Sequence, residues 1–248
     1  MKLKKEDCEN ILQNFLSEIE DLRVLYMSLI LQNEQMVFLL SENKPVISTL
    51  LNSKGELVFG ERFFNDPTFY TNVDTNECIK KILDVEEILN DITRNLVLRL
   101  TAIHENYYRN LVKYFFSQTE PKLSEENQYK KIIIYEKGSA QHRLILVQEL
   151  FGISCSFTSE YQALNFLFRV RNSIAHNNGF ATEKFFIDGK CEDDRLSPYR
   201  KHSNKSGTII ELNKKIVLSQ YDFSELIHLV ALVGKKMFSC IFNECPQV

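Results

Sequence analysis

The chain has 248 residues, with 30 Lys and Arg against 33 Asp and Glu, so its formal net charge is −3. This near balance excludes a wholly basic nucleic-acid-binding protein, although it leaves room for a local basic patch. Hydrophobic residues make up 44% of the chain, which excludes bulk disorder. The 8 glycines and 5 prolines are too few for the frequent turns of a β-sandwich or barrel, so we expect long helices.

Hydrophobic periodicity predicts helix in five segments of the chain, of which 76–117 is either one long helix or two abutting ones. Apolar residues recur at three- and four-residue steps in the segments 6–43, 76–117, 129–152, 159–177 and 221–242. Gly and Pro interrupt residues 46–73, which predicts a loop-rich connection. The sequence therefore predicts an N-terminal helical extension with connecting loops at 1–75, followed by a helical domain at 76–248.

Three short β-like runs lie between the last two predicted helices, at 184–187, 208–212 and 215–218. The pair Asn213-Lys214 is suited to a turn between the second and third runs. We therefore expect a small β-hairpin or meander within residues 180–218. The predicted fold class is mainly α, a helical bundle with this small β element.

The six cysteines form no CxxC pair and have no zinc-like spacing with histidines, so we interpret them as reduced, mostly buried thiols. The N-terminus runs directly into charged residues, and no apolar run approaches the ~18 residues of a membrane span. We therefore expect a cytoplasmic protein without a signal peptide, a membrane segment or a bound metal ion.

The most informative pattern lies in residues 168–179. At about 100° per residue, Arg171 falls in the middle of an apolar helical stripe that includes Leu164 and Phe168. An arginine there costs desolvation free energy unless it has a partner or faces an interface. Arg169, Asn172 and His176 share the flank of the same helix.

The end of this helix is also predicted. Asn177-Asn178-Gly179 is suited to a C-cap with Gly179 in the left-handed conformation, so His176 lies in the last turn. The helix dipole there favours a protonated histidine, which suits acid–base chemistry, and Asn172 could orient its ring. Spacing alone nevertheless favours a simpler interpretation, in which His176 caps the helix and Arg171 forms a structural ion pair.

Residues 171–176, Arg-Asn-Ser-Ile-Ala-His, resemble the R-x4–6-H signature of the HEPN superfamily (higher eukaryotes and prokaryotes nucleotide-binding domains). The commonest form of that signature has a polar residue, often Asn, directly after the Arg, as Asn172 is here. The following Asn-Asn-Gly and extended apolar run resemble the Abi-like members of phage-defence and toxin–antitoxin systems. The resemblance covers roughly residues 76–248 and implies a four- or five-helix bundle with the motif on its penultimate or last core helix.

What the resemblance implies is a metal-independent endoribonuclease that needs no cofactor and has RNA as its substrate. Two subunits would pair along the motif helix, each giving Arg171 and His176 to a composite site. His176 would act as base or acid while a ribose 2′-OH attacks the adjacent phosphate, and Arg171 would stabilise the phosphorane. A neutralising antitoxin or a sensor protein would be a further partner.

The family also contains members that have lost activity and serve as helical dimer modules for binding a protein or nucleic acid. The presence of both Arg171 and His176 favours activity, and the two classes stay open from the sequence.

Further residues complete the predicted site. Several HEPN groups carry a polar residue on an early helix, and Glu105 could take this role by pairing with Arg171; an ordinary surface position is the alternative. Arg169 and Asn177 are predicted RNA contacts. A basic run at 195–205 is suited to phosphate contact and base stacking, or is an ordinary surface loop; its candidate RNA-binding residues are Arg200, Lys201 and His202.

Overall fold

The computed structural model describes residues 4–41, 85–118, 140–153, 157–186 and 210–242. Within these ranges it contains the helices α1 (Lys5–Ser41), α2 (Val85–Gln118), α3 (Ala140–Phe151), α4 (Thr158–Asn177) and α5 (Gln220–Ile241), with a short 3-10 helix at Glu183–Phe185. The α-helices hold 84% of the described residues, so the predicted mainly α class is confirmed. None of these helices combines the length and the hydropathy needed to cross a membrane.

The chain divides into two compact units, Leu25–Ile92 and a larger one made of Met1–Val24 together with Thr93–Val248. The predicted boundary at residue 75 lies outside the described residues, so it stays a prediction. Within the larger unit, the N-terminal half of α1 packs against the helices that follow it.

The contact between α1, α2 and α5 centres on two aromatic rings. Phe15 of α1 stacks on Tyr107 of α2 with ring centroids 4.3 Å apart, and both rings are buried. The Tyr107 hydroxyl donates a hydrogen bond of 3.2 Å to the carbonyl of Gly234 in α5. Gly234 also lets the Phe15 ring approach the backbone of α5 closely, because a Cβ at that position would lie 2.3 Å from Cε1 of Phe15.

Helix α4 packs against α3, α5 and the 3-10 helix. Its buried face consists of Ala163, Leu164, Phe166, Leu167 and Val170. At its N-terminal end, Glu160 is buried and forms an ion pair of 2.6 Å with Lys236 of α5. The Lys236 ammonium also lies 4.8 Å from the ring centroid of Phe157, so one lysine joins the start of α4 to α5.

The predicted β element is not confirmed. The described residues contain one isolated antiparallel bridge, between Phe180 and Lys215. The predicted turn at Asn213-Lys214 is present, with Asn213 at φ 61° and the N–H of Lys214 donating to the carbonyl of Glu211 at 3.1 Å. The remaining residues of the predicted element, 187–209, lie outside the described residues.

The β-like assignment of 184–187 is wrong for its described part. Glu183–Phe185 forms a 3-10 helix because tertiary contacts fix Phe185. Its ring is buried edge-on against Phe166, and its carbonyl accepts a hydrogen bond of 2.9 Å from Nη1 of Arg169.

The expectation that all cysteines are reduced is wrong for Cys240, which is disulfide-bonded, whereas Cys8 is a buried free thiol. Pairing depends on two Cα atoms lying within about 7 Å of each other, which sequence spacing alone does not reveal.

Candidate functional site at the end of helix α4

Helix α4 ends in a tight reversal of the chain. The N–H groups of Asn178 and Gly179 both donate to the carbonyl of Ser173, and the two residues have φ angles of 53° and 81°. The left-handed conformation of Asn178 and Gly179 ends the helix, so the predicted C-cap with a left-handed Gly179 is confirmed. The reversal brings residues 180–185 back alongside the last turns of α4.

A cleft of about 350 Å³ lies between the flank of α4 and this returning segment. The described residues that line it are Arg169, Asn172, Ser173, His176, Asn177, Thr182, Lys184 and Phe185. Arg169, Lys184 and a protonated His176 can carry positive charge, and none of these lining residues is an aspartate or glutamate. The cleft is therefore polar, and its electrostatics favour an anionic ligand.

Arg169 forms one wall of the cleft. Its Nη1 donates a hydrogen bond of 2.9 Å to the carbonyl of Phe185, which holds the partly buried guanidinium in place. Arg169 was predicted as an RNA contact on the flank that it shares with Asn172 and His176, and all three residues line the same cleft.

His176 lies in the last turn of α4, as predicted, and its side chain is exposed. Within the described residues its ring makes no hydrogen bond, so the expected orientation by Asn172 is absent. The carbonyl oxygen of the Asn172 side chain instead accepts a hydrogen bond of 2.9 Å from Nη1 of Arg171.

Arg171 is partly exposed and is not among the described residues that line the cleft. Among the described residues, its guanidinium contacts the cleft lining through the side chain of Asn172. The desolvation cost expected for an arginine on the apolar stripe is thus reduced by partial exposure and by the neighbouring amide.

Glu105 does not pair with Arg171, and this expectation is wrong. Its carboxylate forms an ion pair with Arg143, which joins α2 to α3. The side chains of Glu105 and Arg143 are 23% and 15% exposed, so the pair is largely withdrawn from solvent. Glu105 therefore positions α3 against α2 and does not reach the cleft.

Some cleft residues were missed by sequence reasoning, notably Thr182 and Lys184. The available signal was the predicted C-cap at Gly179, because a left-handed residue at a helix end turns the chain and places the next few residues beside His176. The predicted contacts Arg200, Lys201 and His202 lie outside the described residues. Within the described part of the chain, no three His, Cys, Asp or Glu side chains cluster as metal ligands would.

No protein-family model, no curated protein and no solved structure matches this sequence. The resemblance to HEPN proteins therefore depends on the motif residues and on the helical class of the fold.

Proposed function

We propose that this protein is a metal-independent endoribonuclease of HEPN type, acting in the cytoplasm in phage defence or as the toxin of a toxin–antitoxin pair. The observation that carries the proposal is the composition of the cleft. His176, the one acid–base group of the motif, shares the cleft with Arg169 and Lys184 and with no described carboxylate. A phosphodiester is the anion that such a site suits, because cations bind its oxygens and imidazole transfers its protons.

In the proposed reaction, the ribose 2′-OH attacks the adjacent phosphorus atom and the 5′-oxygen leaves. The 2′-OH proton passes to a histidine acting as base, and a second acid protonates the departing 5′-oxygen. The products are a 2′,3′-cyclic phosphate and a 5′-hydroxyl end. Arginine stabilises the negative charge of the phosphorane.

We propose that the second acid is His176 of another copy of the chain, in a homodimer formed along α4. Among the described residues, one protomer offers a single histidine in its cleft, and its Arg171 is not one of the lining residues. Asn172, Ala175 and His176 are exposed on α4 and Arg171 is partly so, which leaves this surface accessible to a second copy. A two-fold axis would then bring two copies of Arg171 and His176 together.

The second candidate is a non-catalytic helical dimer module that binds a protein or nucleic acid. It is favoured by the absence of any hydrogen bond to the His176 ring within the described residues, since acid–base histidines are usually oriented by a partner.

The test is cleavage of single-stranded RNA by the purified protein in EDTA, with analysis of the product ends. Cyclic phosphate ends are expected from the wild type. His176→Ala should lower the rate about 10²–10⁴-fold, the usual contribution of an acid–base catalyst. His228→Ala is the matched control, because His228 is an exposed histidine on α5 and is not among the residues that line the cleft. Equal rates for wild type and His176→Ala would replace this proposal with the binding module.

Arg171 is tested separately. Arg171→Ala should lower the rate roughly 10²–10³-fold, by analogy with the loss of an oxyanion donor. Arg171→Lys should stay poorly active because it keeps the charge but loses the planar fork. Light scattering on the same variants shows whether the homodimer persists. A wild type that is fully active as a monomer would refute the composite site.

A further inference from the structure

An exposed surface continues from the cleft along the returning segment. Phe180 is 39% exposed, and the segment 180–182 is extended beside residues 213–216. Successive side chains of an extended segment point to opposite faces. Ala181 is fully buried, so Phe180 and Thr182 share the opposite face, and Thr182 lines the cleft. The Phe180 ring therefore lies on the same face as the cleft, about 6–7 Å along the backbone from Thr182.

The backbone pairing places a lysine directly beside this ring. Around the Phe180–Lys215 bridge, the N–H of Ala181 donates to the carbonyl of Lys214 at 2.9 Å, and the N–H of Ile216 donates to the carbonyl of Gly179 at 2.7 Å. This pattern makes Phe180 and Lys215 a non-hydrogen-bonded antiparallel pair, the class in which the side chains come closest.

Buried and exposed side chains alternate along residues 215–218, and this adds one further residue to the exposed surface. Ile216 and Leu218 are buried, whereas Lys215 and Val217 are exposed, Val217 by 42%. The exposed face at this point thus consists of an aromatic ring, an ammonium group and an aliphatic side chain. We call Phe180, Lys215 and Val217 the Phe180 platform.

We infer that the Phe180 platform binds an unpaired nucleotide next to the phosphate held in the cleft, with its base stacked on Phe180 and its phosphate near Lys215. The inference rests on the proposed function and narrows its substrate class to single-stranded RNA. Aromatic rings flanked by cations are the usual means of holding single strands, because every base has a π-face while every nucleotide carries a negative charge. A base within a duplex is stacked on its neighbours and is unavailable to the ring.

Charge complementarity favours RNA over a second copy of the chain as the occupant. The platform adjoins the cleft that Arg169 and Lys184 line, whereas Lys214 at the turn is paired with the exposed Glu211 and adds no net positive charge. Glu183 is the exposed carboxylate next to Lys184, and it is not among the lining residues. A second copy would have to bring this cationic surface against its own equivalent or against another face.

The test uses the absence of tryptophan from the chain. Phe180→Trp in a His176→Ala background introduces a single indole, whose fluorescence should be quenched when a single-stranded RNA oligonucleotide is added and much less when the matching duplex is added. Leu232→Trp is the matched control, because Leu232 is 38% exposed on α5, outside the platform and the cleft lining, and it should show no quenching.

Affinity provides the second measurement. Phe180→Ala and Phe180→Leu should weaken binding of the single strand roughly 5- to 150-fold, the range for losing one base–aromatic stack, while Phe180→Trp should retain it. In an active background, Phe180→Leu should raise KM more than it lowers kcat, because the stack exists before the reaction as well as during it.

The outcomes separate this inference from the proposed function. If Phe180→Leu binds single-stranded RNA with wild-type affinity, the Phe180 platform is rejected as a binding site, while the proposed ribonuclease activity is not affected by the result. Quenching and weakened binding in a protein that cuts no RNA would retain the platform and reject the ribonuclease. Loss of the homodimer in Phe180→Leu would identify the surface as a subunit contact and overturn the inference, as would failure of the wild type to bind any single-stranded RNA.

Discussion

Lowering the pH below 6.5 should destabilise this protein through one buried histidine. His104 of α2 is only 2% exposed, and its ring contacts Tyr108 and Phe168 with centroids 4.8 Å and 5.6 Å away. Within the described part of the chain, neither ring nitrogen has a hydrogen-bond partner. Burial, reinforced by the nearby positive charge of Arg143, lowers the pKa of His104 from 6.5 to about 3.

The direction of the effect follows from proton binding. Between pH 6.5 and about 3, the unfolded chain binds a proton at His104 that the folded protein does not bind. The stability from the neutral buried ring is therefore complete above pH 6.5 and is lost as the pH falls toward 3. In this range the free energy of unfolding should change by about 1.4 kcal/mol per pH unit. A fall from pH 6.5 to pH 5 should therefore lower it by about 2 kcal/mol.

The assay is urea denaturation at pH 7, 6 and 5 for the wild type and for His104→Phe, with His104→Leu as a second variant in case the larger ring overpacks the site. All other titrating groups are common to the three proteins, so the difference between their pH slopes isolates His104. Identical slopes in wild type and both variants would refute the reasoning, as would a normal pKa for His104 measured by NMR in the folded protein.

Three other predictions concern stability and are measured by chemical denaturation. Gly234→Ala should lower the free energy of unfolding by up to about 2 kcal/mol, because overpacking against Phe15 costs roughly 1–3 kcal/mol while alanine adds ~1 kcal/mol of helix propensity. Lys235→Ala, at the exposed neighbouring residue, is the control, and a stabilised Gly234→Ala would contradict the close contact. Gly179→Ala should lower the free energy of unfolding by about 1–2 kcal/mol, because Gly179 has a φ of 81° and the new Cβ would lie 3.1 Å from Cδ of Arg94. An unchanged denaturation midpoint would contradict this. Ser219→Ala should cost ~1 kcal/mol, because the Ser219 hydroxyl caps α5 by accepting from the N–H of Asp222 at 3.1 Å and also donates to Oδ2 of Asp222 at 2.7 Å. Ser219→Thr keeps the hydroxyl and should recover most of the loss.

The sequence by itself determined the features that depend on neighbours along the chain. The hydrophobic period predicted the helical class, and α4 and α5 begin and end within a residue of the predicted segments 159–177 and 221–242. The Asn-Asn-Gly cap was predicted correctly because its conformation depends on a few consecutive residues. The helical period also placed Arg169, Asn172 and His176 on one flank, where they line one cleft.

Tertiary structure decided which partner each side chain found. Glu105 pairs with Arg143 and not with Arg171, because α3 packs against that face of α2. Residues 183–185 wind into a 3-10 helix and not a strand, because the pocket beside Phe166 buries Phe185 and Arg169 binds its carbonyl. These outcomes depend on contacts between segments far apart in sequence, and local propensity is too weak to predict them when burial and hydrogen bonding favour another arrangement.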